Sequence, residues 1–218
     1  MNPLLMLFSV FFVSISYGTE VAYDELTITD GLAYDSNTKK LFSGASTQYH
    51  TNGELKEKTA YIKGKWDGLS EIFYENGQLE YQWNYKDGRL NGATTGFYES
   101  GELKYKGNYL DGNGIEESFY KTGQLEDRAH YKGDQQDGLS ESFYENGQLA
   151  DKANYKNGEY NGIAVEYYKS GQLKSTVNFK NGNADGLWER FSEQGTAQPE
   201  SPTCYQNGST VQLSNCSH

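Results

Sequence analysis

Histidine, cysteine and long apolar runs are all scarce in this sequence. The three histidines are His50, His130 and His218, one early, one central and one at the end. They give no convergent cluster for acid–base or metal chemistry, and no HExxH, GxSxG or phosphate-loop motif occurs. The acidic turn Asp111-Gly112-Asn113-Gly114 lacks the further spaced oxygens and closing glutamate of a calcium loop. The expectation is a protein with no catalytic, cofactor or metal site. The one apolar run, Leu4 to Ile15, is too short to span a bilayer and suits the core of a signal peptide over residues 1–18. No Lys or Arg precedes it, and no Cys follows it to mark a lipoprotein. Export to the periplasm or cell envelope is therefore expected.

Positive charge is also in short supply. The formal net charge is −11, and residues 1–18 carry no charged side chain, so their removal would leave it unchanged. That balance disfavours nucleic acid and anionic lipid and favours a neutral or basic partner. Hydrophobic residues make up only 35%, a level that by itself reads as disorder, yet the chain holds 19 Tyr, 10 Phe and 25 Gly. The aromatics are periodic, which points to a thin sheet with a core made of rings.

The period is explicit. Gly68–Leu79, GLSEIFYENGQL, returns at Gly138–Leu149 as GLSESFYENGQL. The opening glycine recurs at Gly44, Gly68, Gly92, Gly114, Gly138, Gly162 and Gly186, with steps of 24 residues and one of 22. A fixed period of this size marks a repeat array. Each unit carries a turn such as Asn76-Gly77 or Asn146-Gly147 between runs rich in Tyr, Phe and Leu, which predicts a β-hairpin with a two-residue loop and positive φ at both turn positions. That register sets Glu117 opposite Arg128, Glu141 opposite Lys152, Tyr74 opposite Leu79, and Tyr85 and Tyr155 across from Gly68 and Gly138. A second turn (Lys86-Asp87-Gly88, Lys156-Asn157-Gly158) joins each hairpin to the next. The 22-residue step reads as two residues lost from that joining turn, an even change that keeps every side chain on its face.

The fold class expected is all-β: an elongated single-layer antiparallel sheet of tandem hairpins without a closed globular core. About 14 strands at ~4.8 Å each would extend roughly 67 Å. Residues 19–43 read as a lead-in hairpin or cap, 44–195 as seven units, and 196–218 as a tail off the repeat. In that tail Cys204 and Cys216 are expected to pair, closing a loop worth roughly 3 kcal/mol. One face should carry the columns of Tyr74, Tyr98, Tyr120, Tyr144, Tyr168, of Leu79 and its equivalents, and of Tyr61, Tyr85, Tyr109, Tyr131, Tyr155; the other, Phe73, Phe97, Phe119 and Phe143 among Glu and Lys pairs. His130 shares a column with Asn84, Asn108, Asn154 and Asn178, a ladder position rather than a ligand.

Units of the form DGLSEIFYENGQLEYQWNYKDG, with an opening Gly, FYxNGQL and a closing YKxG, resemble the variant MORN repeat of bacterial proteins. The lead-in DGLAYDSNTKKLFSG resembles that of the YwqK-like antitoxin group. The resemblance implies an extended sheet that binds another protein, in some relatives a toxin. The expected function is that of an exported, non-enzymatic antitoxin or immunity-type inhibitor, its partner seated on Tyr98, Tyr120, Tyr144 and Tyr168 with Glu117 and Glu141 steering. The alternative is an envelope scaffold that self-associates or binds glycan.

Overall fold

The structure, a computed structural model, describes residues 18–216; the expected signal segment falls outside them but for Gly18. The strands are β1 (Glu20–Ala22), β2 (Leu26–Thr29), β3 (Leu32–Asp35), β4 (Gly44–Tyr49), β5 (Leu55–Ile62), β6 (Lys65–Phe73) and β7 (Leu79–Lys86). They continue as β8 (Arg89–Leu90), β9 (Gly92–Phe97), β10 (Leu103–Leu110), β11 (Asn113–Phe119), β12 (Leu125–Lys132), β13 (Gln135–Phe143) and β14 (Leu149–Lys156). The last are β15 (Glu159–Tyr160), β16 (Gly162–Tyr167), β17 (Leu173–Lys180), β18 (Asn183–Arg190), β19 (Thr203–Gln206) and β20 (Ser209–Val211). From β4 onward the strands pair antiparallel in chain order, with β8 and β9 both lying along β7 and β15 and β16 both along β14, and β1 adds in parallel beside β4. The result is an open sheet of 18 strands. The hairpin β2–β3 stands apart and is tied on through Ala33 N to Gly64 O and Gly64 N to Phe42 O. Ala33, Phe42 and Tyr61 form the buried cluster beneath it.

The expected register holds in the ladders. Glu117 pairs with Arg128, Glu141 with Lys152, Tyr85 with Gly68 and Tyr155 with Gly138. The turns reach it by another route. Tyr74 N–H donates to Gln78 O and Gly77 N–H to Tyr74 O, so the loop has three residues, Glu75-Asn76-Gly77. Only Gly77 has positive φ; Asn76 instead accepts the Gln78 N–H on its side-chain oxygen. Leu79 therefore pairs with Phe73, not Tyr74, and a bulge at Glu80 restores the pairing of Ile72 with Tyr81. A three-residue loop and a one-residue bulge together leave the register that a two-residue loop would. The mirror-image turn with two positive φ sits at the joins: Asp87-Gly88, Asp111-Gly112, Asn157-Gly158 and Asn181-Gly182.

The short step has a different cause from the one expected. Its joining turn, Asp111-Gly112, is intact, with Leu110 paired to Asn113 and Tyr109 to Gly114. Other joins carry a two-residue irregularity beyond the turn, as where Tyr131 pairs with Gln136 but Ala129 with Ser140. That irregularity holds the opening glycine at φ of 108 to 122 at Gly68, Gly92, Gly138, Gly162 and Gly186, a region closed to most side chains. Gly114 lies outside it. The two missing residues are the bulge.

The tail is likewise more regular than its sequence suggests. Ser192 N–H donates to Thr196 O and Gly195 N–H to Ser192 O, the same turn as in every earlier unit. The chain then detours through Pro199 and Pro202 and returns as β19, with Tyr205 across from Gly186. Tyr205-Gln206-Asn207-Gly208 repeats the closing motif Tyr155-Lys156-Asn157-Gly158, with Asn207 and Gly208 both at positive φ. Cys204 and Cys216 form a disulfide that straps the C-terminal turn to β19.

Candidate binding face and its pocket

Both margins of the sheet are stitched from unit to unit. On one margin each tyrosine hydroxyl donates to a carbonyl one unit on: Tyr74 to Phe97, Tyr98 to Phe119, Tyr120 to Phe143, Tyr144 to Tyr167 and Tyr168 to Phe191, all at 2.8–2.9 Å. On the other, turn glycines bond back, Gly88 N–H to Trp66 O, Gly158 N–H to Gln136 O and Gly182 N–H to Tyr160 O. The four tyrosines expected at a partner site thus spend their hydroxyls on the scaffold, and what they offer is half-buried ring surface. Where the joins are bulged, the Asn column caps the turned-out carbonyls. Asn84 donates to Ala93 O, Asn178 to Asp185 O, and His130 Nδ1 sits 2.8 Å from Leu139 O, so His130 serves the ladder.

Glu117 and Glu141 lie on the face away from the Tyr85–Tyr155 column, as their alternation requires. Their charge is spoken for. Glu117 meets Lys106 at 3.0 Å and Arg128 at 2.8 Å, and Arg128 reaches Glu141 at 3.7 Å. Hydrogen bonds from Lys106 and Arg128 hold the Glu117 carboxyl below its usual value. Lys106 also lies over the Phe119 ring, 5.1 Å from its centre. The acid on the Tyr side comes from other residues. Glu116 accepts from Tyr109 Oη at 2.9 Å, Asp127 from Ser118, Asp151 from Ser142, and Glu166 from Lys174 and Ser175. Burial, then the charge of Glu116, pushes the Tyr109 phenol up.

A concavity of about 350 Å³ opens on this face between the second and fourth units. Its walls are Tyr81, Trp83, Tyr98, Lys104, Tyr105, Glu116, Ser118 and Glu126. Tyr81 and Trp83 are stacked at 5.2 Å with 13° between planes, and Tyr81 and Tyr105 meet at 5.6 Å. Lys104 and Glu126 are residues of the recurrent bulge that follows each hairpin loop, which turns them toward the Tyr side. Lys104 bonds the Tyr81 hydroxyl, which raises its pKa, and lies 4.9 Å from the centre of that ring. Sequence reasoning passed over both bulge residues because a period-two alternation has no place for them. A second cavity, of about 720 Å³, lies under the β2–β3 hairpin among Tyr23, Ile28, Tyr61 and Trp66. Among the described residues no group of His, Cys, Asp or Glu could hold a metal ion.

Comparison with known families then places the repeat. The model described as "MORN repeat variant" matches residues 43–63, 66–87, 90–111, 113–132, 136–157 and 160–181, more than half of the chain. The chain belongs to the MORN repeat variant family. The match covers six hairpins of the MORN array and stops before the seventh, the one interrupted by the detour through Pro199 and Pro202. It identifies the repeat and says nothing of the YwqK-like antitoxin group. None of the curated proteins matches. A solved structure described as "Crystal Structure of TarM" is similar over 42% of this chain and 20% of that one, at 15% identity and a TM-score of 0.31. The matched part of the chain thus spans about a fifth of that structure's length.

Proposed function

We propose that this MORN-repeat chain is an exported, non-enzymatic protein that acts by binding another protein, as an antitoxin or immunity-type inhibitor of a toxin or secreted effector. The observation that carries the reading is the Tyr face. It offers half-buried rings at Tyr98, Tyr120, Tyr144 and Tyr168, interspersed with Glu116, Asp127 and Asp151, none of which is held in an ion pair among the described residues. Rigid aromatic area beside carboxylates suits a neutral or basic protein surface. Glu117 and Glu141, neutralised on the opposite face, leave the steering to the acids of the Tyr side. The likeness of the lead-in to the YwqK-like group supports the inhibitor reading, and the apolar run with the disulfide supports an envelope location.

The test uses the product of a neighbouring effector gene, with affinity measured at two salt concentrations. Reversing Asp127 and Asp151 to Lys should weaken binding by about tenfold or more, while Glu141→Gln should change it little. Equal affinity for both variants, each folded by circular dichroism, would move the site off the Tyr face. Mass spectrometry of the mature protein from an envelope fraction should find a new amino terminus near Gly18; an intact Met1 in the cytosol would sink the export reading.

A further inference from the structure

In a repeat array, whatever recurs is accounted for by the scaffold, so departures from the repeat that fall together carry other information. Four such departures converge on the pocket between the second and fourth units. First, Gly96 stands in a column filled elsewhere by Gln48, Ile72, Ser118, Ser142, Glu166 and Arg190. Second, Gly107 stands where other units place Thr59, Trp83, Ala129, Ala153 and Val177. Neither glycine has the positive φ that would demand it. Instead a Cβ at Gly96 would lie 2.2 Å from the Tyr105 ring and 2.8 Å from Tyr81, and one at Gly107 would lie 2.7 Å from Thr94 Oγ1. The glycines make room for rings.

Third, the rings themselves are out of pattern: Tyr81 and Tyr105 occupy a column of Glu57, Asp127, Asp151 and Ser175. Fourth, the adjoining join is the one that lacks the bulge. Beside these lies an unrepaid polar cost. Among the described residues neither the Tyr105 hydroxyl nor Thr94 Oγ1, both buried, makes a well-formed hydrogen bond, although Thr94 is near enough to pull the Tyr105 pKa down against the larger upward effect of burial. A scaffold optimised only for stability has no use for such a pair.

We infer that this pocket is a binding site for a neutral sugar ring. Three features select that chemistry. The Tyr81 and Trp83 rings, stacked one on the other, both line the pocket and give it an apolar aromatic platform of the kind against which the C–H face of a pyranose packs. The polar groups around it are of both signs, Lys104 against Glu116 and Glu126, which suits hydroxyls that donate and accept and does not suit a strongly charged ligand. The volume of about 350 Å³ lies in the small-molecule range and admits one or two sugar rings. An apolar side chain from a partner protein would use the platform and leave the polar rim desolvated.

The experiment needs no protein partner, so it can fail while the protein-binding reading stands. The full chain is titrated with maltose, cellobiose and N,N′-diacetylchitobiose while the three indole N–H resonances, from Trp66, Trp83 and Trp188, are followed by NMR. At least one sugar should shift the Trp83 indole saturably at millimolar concentration or below. Trp83→Ala should weaken that binding by about tenfold or more. Glu126→Gln, a change at the rim that leaves every ring in place, should weaken it several-fold and guards against a Trp83 variant that does not fold. Absence of saturation with all three sugars overturns the inference, as does saturation unchanged in Glu126→Gln. A response of the Trp83 indole to an unstructured peptide and to none of the sugars overturns it in favour of a peptide anchor.

Discussion

Two tyrosines of this array should respond in opposite ways to the same chemical change. Tyr120 donates its hydroxyl to Phe143 O at 2.8 Å, one stitch of the margin that binds each unit to the next. Tyr120→Phe deletes that bond and nothing else, and a bond of this kind contributes about 1 kcal/mol net. Tyr105 is buried, and among the described residues its hydroxyl has only Thr94 nearby and no well-formed hydrogen bond. Burying an unpaired hydroxyl costs roughly 1–3 kcal/mol, so Tyr105→Phe removes a cost and keeps the ring, with an expected gain of about 1 kcal/mol. The two variants should therefore differ by about 2 kcal/mol, with the parent between them. Urea unfolding followed by circular dichroism reads this as midpoints displaced to either side of the parent at unchanged slope. If both variants are destabilised alike, ring packing or the unfolded chain governs the hydroxyls' effect, and the stitched-margin account fails.

Gly96→Ala should cost about 1–3 kcal/mol by forcing the Tyr105 and Tyr81 rings apart, measurable as a lowered melting temperature; a neutral result would mean the rings are not seated on that glycine. Cys204→Ser should lower stability by roughly 2–3 kcal/mol, and reductant should lower the melting temperature of the parent but not of the variant. Stability should also drain at alkaline pH. Burial raises the phenol pKa of Tyr61, Tyr85 and Tyr131 above the ordinary value of 10.0. Because the unfolded chain ionises first, the contribution is whole below the unfolded value of about 10 and is lost as pH climbs from there through the raised folded values. Urea midpoints that stay level from about pH 9 to beyond pH 11 would refute it.

What could be read in advance was whatever repeats. Glu117 facing Arg128 and Tyr85 facing Gly68 follow from a period and an alternation, and both are visible in the letters. Asn76-Gly77 misled because two loop types accept the same dipeptide and leave the same register once a bulge at Glu80 is added. Tyr205-Gln206-Asn207-Gly208 was overlooked because an inserted detour displaced it from the beat, although its letters match the closing motif. The stitched tyrosines leave no sequence signal beyond their spacing, since their acceptors are backbone carbonyls. The pocket was the least legible of all. It arises from what Gly96 and Gly107 lack and from bulge residues, Lys104 and Glu126, that alternation assigns to neither face.

The strap from Cys204 to Cys216 also decides how the molecule would answer a pull on its two ends. Ladder bonds run across the strands, so tension along the array loads them one rung at a time, in the manner of a zipper and not of a shear joint. Without the strap, the first element to feel that load at the C-terminal end would be the three-residue strand β20. With it, force entering at Cys216 passes through the sulfurs to Cys204, and the intervening residues, β20 included, carry none of it. At that end peeling must then begin at β19, whose Tyr205 is locked across from Gly186. Beyond it, each regular unit of 24 residues would pay out about 80 Å of chain as it opens. A single covalent link thus sets where a series of nearly equal extensions starts at the C-terminal end.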